Sequence, residues 1–347
     1  MQFTAQQIAS LLNGSIEGNP DIEVSNLAKI EEASLGDLSF LSNPKYEHFL
    51  YETNASIVIV NEEQQLLSAL KSTLTIIRVK NAYAAFSTLL NIYNEVRLDR
   101  KGREEPSFIH SSTEIGEDGY IGAFVYIGKD GKIGKNVKIY PQVYIGDNVV
   151  IGDNTTLFPG VKIYQDCILG KNVIVHSGTV IGSDGFGFAP QEDGTYAKVP
   201  QIGNVVIEDD IEIGANTVID RATMGSTILH QGVKLDNLIQ IAHNVELGKN
   251  TVIAAQTGVS GSSKIGENVV LGGQVGVVGH ISVADRSQVQ AQSGINKTIT
   301  EENKKWAGSP ILGYQSNMRS QVIYAKLPDL EKRITQLERL LKEKLKS

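Results

Sequence analysis

The feature that most constrains the fold of this chain is an aliphatic residue at every sixth position over most of residues 109–295. The register is unbroken over residues 109–181, resumes over 207–219, slips by four residues and then holds over 229–295. A period of six fits neither the 3.6-residue turn of an α-helix nor the alternation of a plain strand. It is the signature of hexapeptide repeats that wind into a parallel β-helix.

The hexad also predicts the shape of one coil. One aliphatic side chain per short strand points inward. We expect the small residue that often follows it, as Gly146 follows Ile145, to let the chain turn the corner without a Cβ clash. Three hexads complete a triangular coil, so the 28 repeats predict about nine coils, stacked ~4.8 Å apart. The period leaves the hand of the β-helix open.

We therefore predict a mainly β protein in three parts. Residues 1–100 form a small α/β domain, residues 101–300 the β-helix, and residues 301–347 a C-terminal α-helical extension. In the first part, Thr4 and Gln7 form a capping-box pattern that predicts a helix ending near Gly14. The other elements that we expect there are strands at 55–60 and 74–79, helices at 62–70 and 81–94, and a charged linker at 97–105.

Residues 38–46 of the first part carry two aromatic residues, Phe40 and Tyr46, with Asn43 between them. Aromatic rings stack on nucleobases, and an amide side chain offers both a donor and an acceptor to the edge of a base. The alternative interpretation is that both aromatic residues belong to the core or to a lid.

Composition narrows the class of protein. The chain has 347 residues, 41% of them hydrophobic, without an apolar run long enough for a membrane span and without a leader-like N-terminus. Its single cysteine, Cys167, excludes an internal disulfide framework. We therefore expect a cytoplasmic protein.

The charge is unevenly distributed. The net charge is −7 for the whole chain but +6 over residues 286–347, which favours an acidic partner over the alternative of a merely solvated surface. No nucleic-acid recognition motif accompanies the basic residues, so we expect no nucleic-acid partner.

Leucine and isoleucine recur every three or four residues at Leu327, Leu330, Ile334, Leu337 and Leu341. This spacing predicts an amphipathic helix with a coiled-coil seam, and a homotrimer is the simplest assembly for a triangular prism.

Two interruptions of the hexad point to a functional site. The first covers residues 182–200 and the second residues 220–228, and insertions in a solenoid commonly build its binding face. Just beyond them, His243 lies in a segment unusually rich in polar residues, and neutral imidazole is the best-matched general base near neutral pH. Asp236 and Gln240 are candidates to orient the ring, while Asn237 and Asn244 are candidates to hold polar groups of a substrate.

The coil length adds two further candidates. A residue 18 positions beyond His243 lies directly above it in the next coil, and this residue is Gly261. A glycine N–H one strand away is a suitable oxyanion donor because no side chain obstructs it. His280 lies two coils and one residue beyond His243, so it can line the same edge of the prism.

Several segments together resemble the UDP-3-O-acylglucosamine N-acyltransferase family of lipid A biosynthesis. They are residues 181–188 (IGSDGFGF), 211–221 (IEIGANTVIDR), 234–244 (KLDNLIQIAHN), 276–280 (GVVGH) and 39–46 (SFLSNPKY). One departure is Ala222, which stands directly after Arg221 where the family has a glycine. Members of this family contain a left-handed β-helix, so the resemblance implies the hand that the period leaves open.

The resemblance implies a reaction and a role for each candidate. An (R)-3-hydroxyacyl chain would move from acyl carrier protein to the 2-amino group of a UDP-3-O-acyl-glucosamine. His243 would act as general base with support from Asp236, and the Gly261 N–H would hold the oxyanion. The substrate would contact Phe40, Asn43, Tyr46, Asn237, Gln240, Asn244 and His280.

It also implies the accessory features of the site. The basic C-terminal part would receive the acidic carrier protein, whose phosphopantetheine carries the acyl chain. No cofactor and no metal would be needed, since a neutral amine is already a competent nucleophile. Gly294 lies at the position that limits the acyl groove in this family, and without a side chain there the enzyme should accept a longer chain.

Three other functions fit part of the pattern. A trimeric carbonic anhydrase needs three zinc-binding histidines, and only His243 and His280 lie at suitable coil positions. A nucleotidyltransferase fused to an acetyltransferase solenoid needs a glycine-rich nucleotide loop, which residues 1–94 lack. A non-catalytic repeat scaffold predicts uniform coils, whereas the polar residues and both interruptions concentrate between residues 182 and 280. These differences favour the acyltransferase.

Overall fold

The computed structural model describes residues 2–345, and for residues 94–98 the backbone only. It divides the chain into two compact units, Met1–Asp99 and Arg100–Ser347.

The first unit is built on a five-stranded sheet with helices. Its strands are β1 (Phe3–Thr4), β2 (Ser15–Glu17), β3 (Glu23–Val24), β4 (Asn26–Leu27), β5 (Asp37–Leu41), β6 (Ile57–Asn61) and β7 (Thr75–Val79). Its helices are α1 (Ala5–Leu12), α2 (Glu47–Glu52) and α3 (Ala82–Leu98), with a 3-10 turn at Pro44–Tyr46. The sheet has the order β2-β7-β6-β5-β4, in which only the β2-β7 pair is antiparallel.

Local sequence signals account for most of this unit. The predicted capping box is present in full: the Thr4 side chain accepts from the Gln7 N–H, and the Gln7 side chain accepts from the Thr4 N–H. Strands β6 and β7 and helix α3 also lie where we expected them. The helix predicted at residues 62–70 is wrong, because that segment is an irregular connection. Strand β5 and helix α2 had not been predicted.

The second unit is the parallel β-helix. Before the first interruption its strands are β8 (Gly102–Arg103), β9 (Phe108–Ile109), β10 (Glu114–Ile115), β11 (Tyr120–Ile121), β12 (Tyr126–Ile127), β13 (Lys132–Ile133), β14 (Lys138–Ile139), β15 (Tyr144–Ile145), β16 (Val150–Ile151), β17 (Thr156–Leu157), β18 (Lys162–Ile163), β19 (Ile168–Leu169) and β20 (Ile174–Val175). The predicted linker at 97–105 therefore already contains the end of α3 and the first strand of the β-helix.

The interruptions and the later coils follow. The strands around the interruptions are β21 (Val180–Asp184), β22 (Phe188–Pro190), β23 (Tyr196–Lys198), β24 (Asn204–Ile207), β25 (Glu212–Ile213), β26 (Val218–Arg221) and β27 (Ser226–Leu229). The remaining strands are β28 (Lys234–Leu235), β29 (Gln240–Ile241), β30 (Glu246–Leu247), β31 (Val252–Ile253), β32 (Gly258–Val259), β33 (Lys264–Ile265), β34 (Val270–Leu271), β35 (Gly276–Val277), β36 (Ser282–Val283), β37 (Gln288–Val289), β38 (Gly294–Ile295), β39 (Lys305–Ala307) and β40 (Leu312–Gly313).

Apart from the β22-β23 hairpin, these strands form three sheets, one on each side of the prism. In the regular coils each strand pairs in parallel with the strand three further along the chain, so that Ile127 pairs with Ile145 and Ile145 with Ile163. The sheets contain nine, twelve and ten strands. The predicted three-sided hexapeptide solenoid is confirmed.

The core of the β-helix is a continuous column of aliphatic side chains. The hexad residues from Ile127 to Ile295 are almost fully buried, whereas Ile115 at the first coil is 40% exposed. A second inward position lies two residues before each hexad residue, where valines such as Val149 and Val161 are also buried. Each regular hexad therefore contributes two buried side chains, one from the short strand and one from the residue before it, which is one more than we predicted.

The glycines after the hexad residues do avoid a Cβ clash, as we predicted, but the chain does not turn at them. The chain turns at the third residue after the aliphatic position, where residues such as Asn136 and Asn154 adopt left-handed φ values of 54° and 59°. Asparagine and aspartate tolerate this conformation better than other side chains. The preceding glycines are small because the coils stack closely: a Cβ on Gly134 would lie 2.7 Å from the Asp153 backbone nitrogen.

The hexad pattern ends at Ile295, but one sheet continues beyond it. Strand β39 pairs in parallel with β37, and β40 pairs antiparallel with β39. Helices α4 (Tyr314–Tyr324) and α5 (Leu327–Lys344) follow, and α5 has no buried residue. None of the helices within residues 2–345 has the length and apolar character that a membrane span requires.

Candidate functional site

Both interruptions of the hexad meet beside His243. The first forms a hairpin of β22 and β23, and the second widens the coil between β26 and β27. A Cβ on Gly185, in the first interruption, would lie 2.8 Å from the Cβ atom of His243. From the second interruption, the Thr223 N–H donates to the Asn244 Oδ1 at 3.0 Å. The two segments that break the repeat therefore both contact the His243–Asn244 corner.

The imidazole of His243 lies over Gly261. A Cβ on Gly261 would be 2.6 Å from the His243 Nε2 and 2.7 Å from its Cε1, which is closer than real contacts allow. Only glycine leaves room for the ring at this corner. The register that placed these two residues one coil apart is confirmed by the Ser262 N–H, which donates to the His243 carbonyl at 3.0 Å.

Asn244 fixes the orientation of this imidazole. Its Oδ1 accepts from the Thr223 N–H, and its Nδ2 donates to the Met224 carbonyl at 2.9 Å, so the amide orientation is determined. The Oδ1 also lies 3.2 Å from the His243 Nδ1. Because an amide oxygen only accepts, the neutral ring carries its proton on Nδ1. The Nε2 lone pair then faces Gly261 and is available to accept a proton.

Asp236 does not orient His243 in the described chain, contrary to our expectation. Its carboxylate accepts from the Asn237 N–H at 2.8 Å, from the Asn237 Nδ2 at 3.0 Å and from the Ala255 N–H at 3.1 Å. Asn237 is likewise engaged in the scaffold, since its Oδ1 accepts from the Ala215 N–H at 2.7 Å. These two residues stabilise coil corners, and the orienting role belongs to Asn244.

Gln240 does not orient the imidazole either, because it is bound to a carboxylate that we had not selected. Its Nε2 donates to Asp220 Oδ2 at 2.9 Å, and the Ser183 hydroxyl donates to Asp220 Oδ1 at 3.1 Å. Burial raises the pKa of the Asp220 carboxyl, although these hydrogen bonds and the charge of His243 act to lower it. With its amide nitrogen committed to Asp220, Gln240 presents its carbonyl oxygen as an acceptor.

A groove begins at Gln240 and runs along the same side of the prism. Its floor is a column of glycines in register, Gly258, Gly276 and Gly294, at a position occupied by Phe108, Tyr126 and Tyr144 in the early coils. The groove has a volume of about 570 Å³ and ends at Ser309 and Pro310. A Cβ on Gly258 or Gly276 would meet no atom within 4 Å, so the groove is open over its length.

The other predicted residues of this unit lie along the same edge. The His280 N–H donates to the Gly261 carbonyl at 3.1 Å, which places His280 one coil above Gly261 with an exposed side chain. A Cβ on Gly294 would lie 2.8 Å from the Ser309 hydroxyl, so Gly294 is at the closed end of the groove.

The predicted nucleotide-binding residues lie in the first unit. Phe40 stacks on Phe86 with a centroid distance of 4.0 Å, so one face of its ring is occupied by the protein. Tyr46 is 49% exposed. The Asn43 Oδ1 accepts from the Lys45 N–H at 3.0 Å and caps the 3-10 turn, which leaves its amide NH₂ as the group that can reach a base.

Sequence reasoning did not predict the roles that the structure gives to two residues of the site, Asp220 and Asn244. Asp220 lies in the quoted 211–221 segment and at the start of the second interruption, but neither signal showed that its carboxylate binds Gln240 and Ser183. Asn244 follows the histidine directly, but its bonds to Thr223 and Met224 connect residues about 20 positions apart in a coil of irregular length. The six-residue period cannot predict such contacts.

Models of two protein families match segments of this chain. The family model of UDP-3-O-(3-hydroxymyristoyl) glucosamine N-acyltransferase, LpxD, matches residues 21–92, and the model of the bacterial transferase hexapeptide matches residues 130–157 and 148–183. The chain is similar in fold to the solved structure of Arabidopsis UDP-N-acetylglucosamine acyltransferase, with a TM-score of 0.56. The sequences are 18% identical, over 63% of this chain and 77% of the other.

Full-length relatives are much more similar. A UDP-3-O-acylglucosamine N-acyltransferase from Christiangramia forsetii is 60% identical over 339 residues, which cover 98% of each chain. One from Porphyromonas gingivalis is 54% identical over 343 residues, which cover 99% of this chain and 97% of the relative. This chain therefore belongs to the UDP-3-O-acylglucosamine N-acyltransferase family.

Proposed function

We propose that this protein transfers an (R)-3-hydroxyacyl chain from acyl carrier protein to the 2-amino group of UDP-3-O-acyl-glucosamine, a step of lipid A synthesis. The names of its relatives give the sugar nucleotide and the N-acyl transfer. The observation that carries the proposal for this chain is the Nε2 of His243, which faces Gly261. The residues directly before these two, Ala242 and Ser260, line the glycine-floored groove.

The arrangement supports general-base catalysis of amide formation. The Nε2 of His243 takes a proton from the sugar amine as its nitrogen attacks the thioester carbonyl carbon. The Gly261 N–H donates to the carbonyl oxygen, on which negative charge develops. When the tetrahedral intermediate collapses, the C–S bond breaks and the imidazolium returns its proton to the departing thiolate. The products are the N-acylated sugar nucleotide and the free thiol of the carrier.

The groove is the proposed site of the donor's acyl chain. Its floor is bare peptide and glycine Cα atoms, which an extended hydrocarbon chain can contact along its length. From Gln240 to Gly294 it spans three coil steps, or roughly 14 Å at the usual strand spacing. The acceptor oxygen that Gln240 offers at its mouth suits a donor such as an amine or a hydroxyl.

For the nucleotide, we propose that Phe40 and Tyr46 hold the uracil ring. The support is that Phe40 is fixed by Phe86 on one face and that Tyr46 is largely exposed. Asn43 donates from its amide NH₂ to a uracil carbonyl, because its oxygen is used by the turn that it caps. In the β-helix, the groups of His280 and Asn237 available to a substrate are the exposed side chain of His280 and the part of the Asn237 side chain that Ala215 and Asp236 do not engage.

We also propose an acidic carrier protein as partner and a homotrimer as the assembly. Both proposals are supported by features of the C-terminal part of the chain. Residues 286–347 carry a net charge of +6, which attracts an acidic partner. Helix α5 leaves its apolar stripe exposed, with Ile334, Leu337 and Leu341 each more than half accessible. Three copies of α5 in a bundle would bury these stripes.

The test is mass spectrometry of the products formed from UDP-3-O-acyl-glucosamine and a mixed pool of acyl carrier thioesters. The proposal predicts one N-acylated product whose mass identifies a 3-hydroxyacyl donor. An equally rapid reaction with donors that lack the 3-hydroxyl would refute the proposed donor, and a lack of any N-acylated product would refute the transfer itself.

A further inference from the structure

Asp220 is a buried carboxylate that no step of the proposed reaction uses. Its side chain is 8% exposed. The pairing of β21 with β26 shifts register between Ile181 and Ser183, as a β-bulge does, and this shift brings Ser183 opposite Asp220. A buried carboxylate is costly unless its oxygens are hydrogen-bonded. Here one oxygen accepts from the Ser183 hydroxyl and the other from the Gln240 amide nitrogen, so both interruptions of the repeat and the groove meet at this carboxylate.

The amide of Gln240 has one orientation because two acceptors surround its nitrogen. The Nε2 donates to Asp220 Oδ2 at 2.9 Å and to the Ile241 carbonyl at 3.4 Å. A reversed amide would bring Oε1 against both of these oxygens, so the hydrogen bonds fix which end of the amide faces the protein. Gln240 itself is exposed, and within residues 2–345 no donor reaches its Oε1. The oxygen is therefore the group that Gln240 offers to a ligand.

Gln240 stands at the end of the groove nearest the reacting atoms. It pairs with Gly258, the first glycine of the groove floor. Three residues beyond Gly258 is Gly261, whose N–H is the proposed oxyanion donor. An acyl chain whose carbonyl lies at Gly261 therefore enters the groove over Gly258, beside Gln240. A hydroxyl on carbon 3, two carbons beyond the thioester carbonyl, lies at this entrance rather than deeper in the groove.

We propose that Asp220 is a positioning residue for the choice of acyl donor. By holding the Gln240 nitrogen, it turns the Gln240 Oε1 toward the groove, where this oxygen accepts a hydrogen bond from the 3-hydroxyl of the donor. A donor without that hydroxyl leaves the acceptor without a partner. Because Gln240 is exposed, the preference should be about 3- to 10-fold, the effect of one neutral hydrogen bond. The inference rests on the proposed acyl transfer and names the residues that read the donor.

The measurement is the ratio of kcat/KM for a 3-hydroxyacyl donor to kcat/KM for the unsubstituted donor of the same length. Gln240→Met keeps the length of the side chain but removes the acceptor, so the ratio should fall by about 3- to 10-fold. Gln288→Met is the matched control. Gln288 stands directly before the buried Val289, as Gln240 stands before Ile241, but on another side of the prism. The control should have the ratio of wild type.

Two variants of Asp220 test the positioning role. Asp220→Leu removes the acceptor and frees the Gln240 amide, so the ratio should fall about as far as in Gln240→Met. Asp220→Asn keeps an oxygen for the Gln240 Nε2, while its own amide nitrogen can donate to the Ser183 hydroxyl, so it should keep the ratio of wild type. A purely structural role would lower kcat/KM for both donors equally and leave the ratio unchanged. If Asp220→Leu does not fold, Asp220→Ala repeats the test.

The outcomes separate this inference from the proposed function. If wild type transfers the acyl chain and either Gln240→Met or Asp220→Leu keeps its ratio, the inference is wrong and the transfer stands. The same holds if the preference is lost in Ser260→Ala instead, since Ser260 also lines the groove near its entrance. Failure of both the Leu and the Ala variant to fold would show that Asp220 serves the fold, which also overturns the positioning role. A wild-type protein that forms no N-acylated product refutes the proposed function itself.

Discussion

At the scale of single residues, the role of each polar side chain in the site depends on which of its atoms already form hydrogen bonds within the protein. Of the polar residues around His243, Asp236 and Asn237 are held by corner hydrogen bonds, and Asn244 is held by the second interruption. Sequence reasoning identified all three as polar residues near a histidine. It could not assign their roles, because the type of a side chain does not reveal which backbone group it binds.

The first residue-scale prediction concerns Asn244. Replacing it with Ala removes the acceptor that holds the proton on the His243 Nδ1 and releases Thr223. We expect kcat to fall about 10- to 100-fold, part of the 10²- to 10⁴-fold effect of a positioned general base. Steady-state kinetics at saturating substrate measure this change.

Asn244→Asp is the informative partner variant. It keeps the acceptor, so it should retain more activity than the Ala variant. A carboxylate beside the imidazole favours the imidazolium ion, so the rise of kcat/KM should move to higher pH. Identical pH profiles for wild type and the Asp variant would show that residue 244 does not contact the catalytic ring.

A second residue-scale prediction concerns His230, away from the site. Its Nδ1 lies 3.0 Å from Glu208 and its Nε2 lies 3.1 Å from Glu246. Burial acts to lower the pKa of His230, but the hydrogen bonds to the two carboxylates outweigh it and the pKa is raised. The charged ring therefore stabilises the fold below its ordinary pKa of about 6.5, and this contribution is lost as the pH rises through the raised value.

His230→Gln tests this contribution, because glutamine keeps a hydrogen-bonding side chain that does not titrate. The Tm of the variant should lie further below that of wild type at pH 5.5 than at pH 8.5. The side chains are partly exposed, so the difference should be small and should shrink in high salt. An equal Tm difference at both pH values would mean that the charge of His230 does not stabilise the fold.

At the scale of elements, the sequence predicts regular structure and fails where the period breaks. The hexad identified the buried aliphatic of each short strand, because a residue that packs into a stacked core must recur once per side of the prism. It missed the second inward position, where valine shares the role with threonine and serine, as at Thr155 and Ser263. It also placed the turn at the glycine that follows the aliphatic residue, although the chain turns two residues later. The two positions are easily confused, because close coil stacking and a left-handed φ both favour small or Asn-like residues.

The glycine column yields the element-scale prediction. Gly294→Met places a long side chain at the closed end of the groove, against Ser309. The variant should prefer shorter acyl donors than wild type, with the ratio of kcat/KM for short and long donors changing by about tenfold or more. Gly313→Met is the control, because position 313 lies outside the groove and a Cβ there meets no atom within 4 Å. The same donor preference in Gly294→Met and wild type would exclude Gly294 from setting the chain length.

At the scale of the whole molecule, the β-helix provides a rigid frame on which a few irregular segments are placed. A sequence of uniform hexads would fold into the same prism, with each coil binding the next through backbone hydrogen bonds. The two interruptions converge on one corner, and the glycine column starts beside that corner. The proposed chemistry therefore depends on the register between coils, which the repeat maintains over the length of the prism.

The most direct measurement of the central claim is acyl transfer by His243→Ala, followed in a single turnover with enzyme in excess over the sugar nucleotide. This variant removes the proposed base but leaves both period interruptions and the Gly261 N–H in place. We predict that the rate of N-acylation falls by about 10²-fold or more, with the same thermal unfolding and the same oligomeric state as wild type. A rate equal to that of wild type would contradict the assignment of His243 as the base.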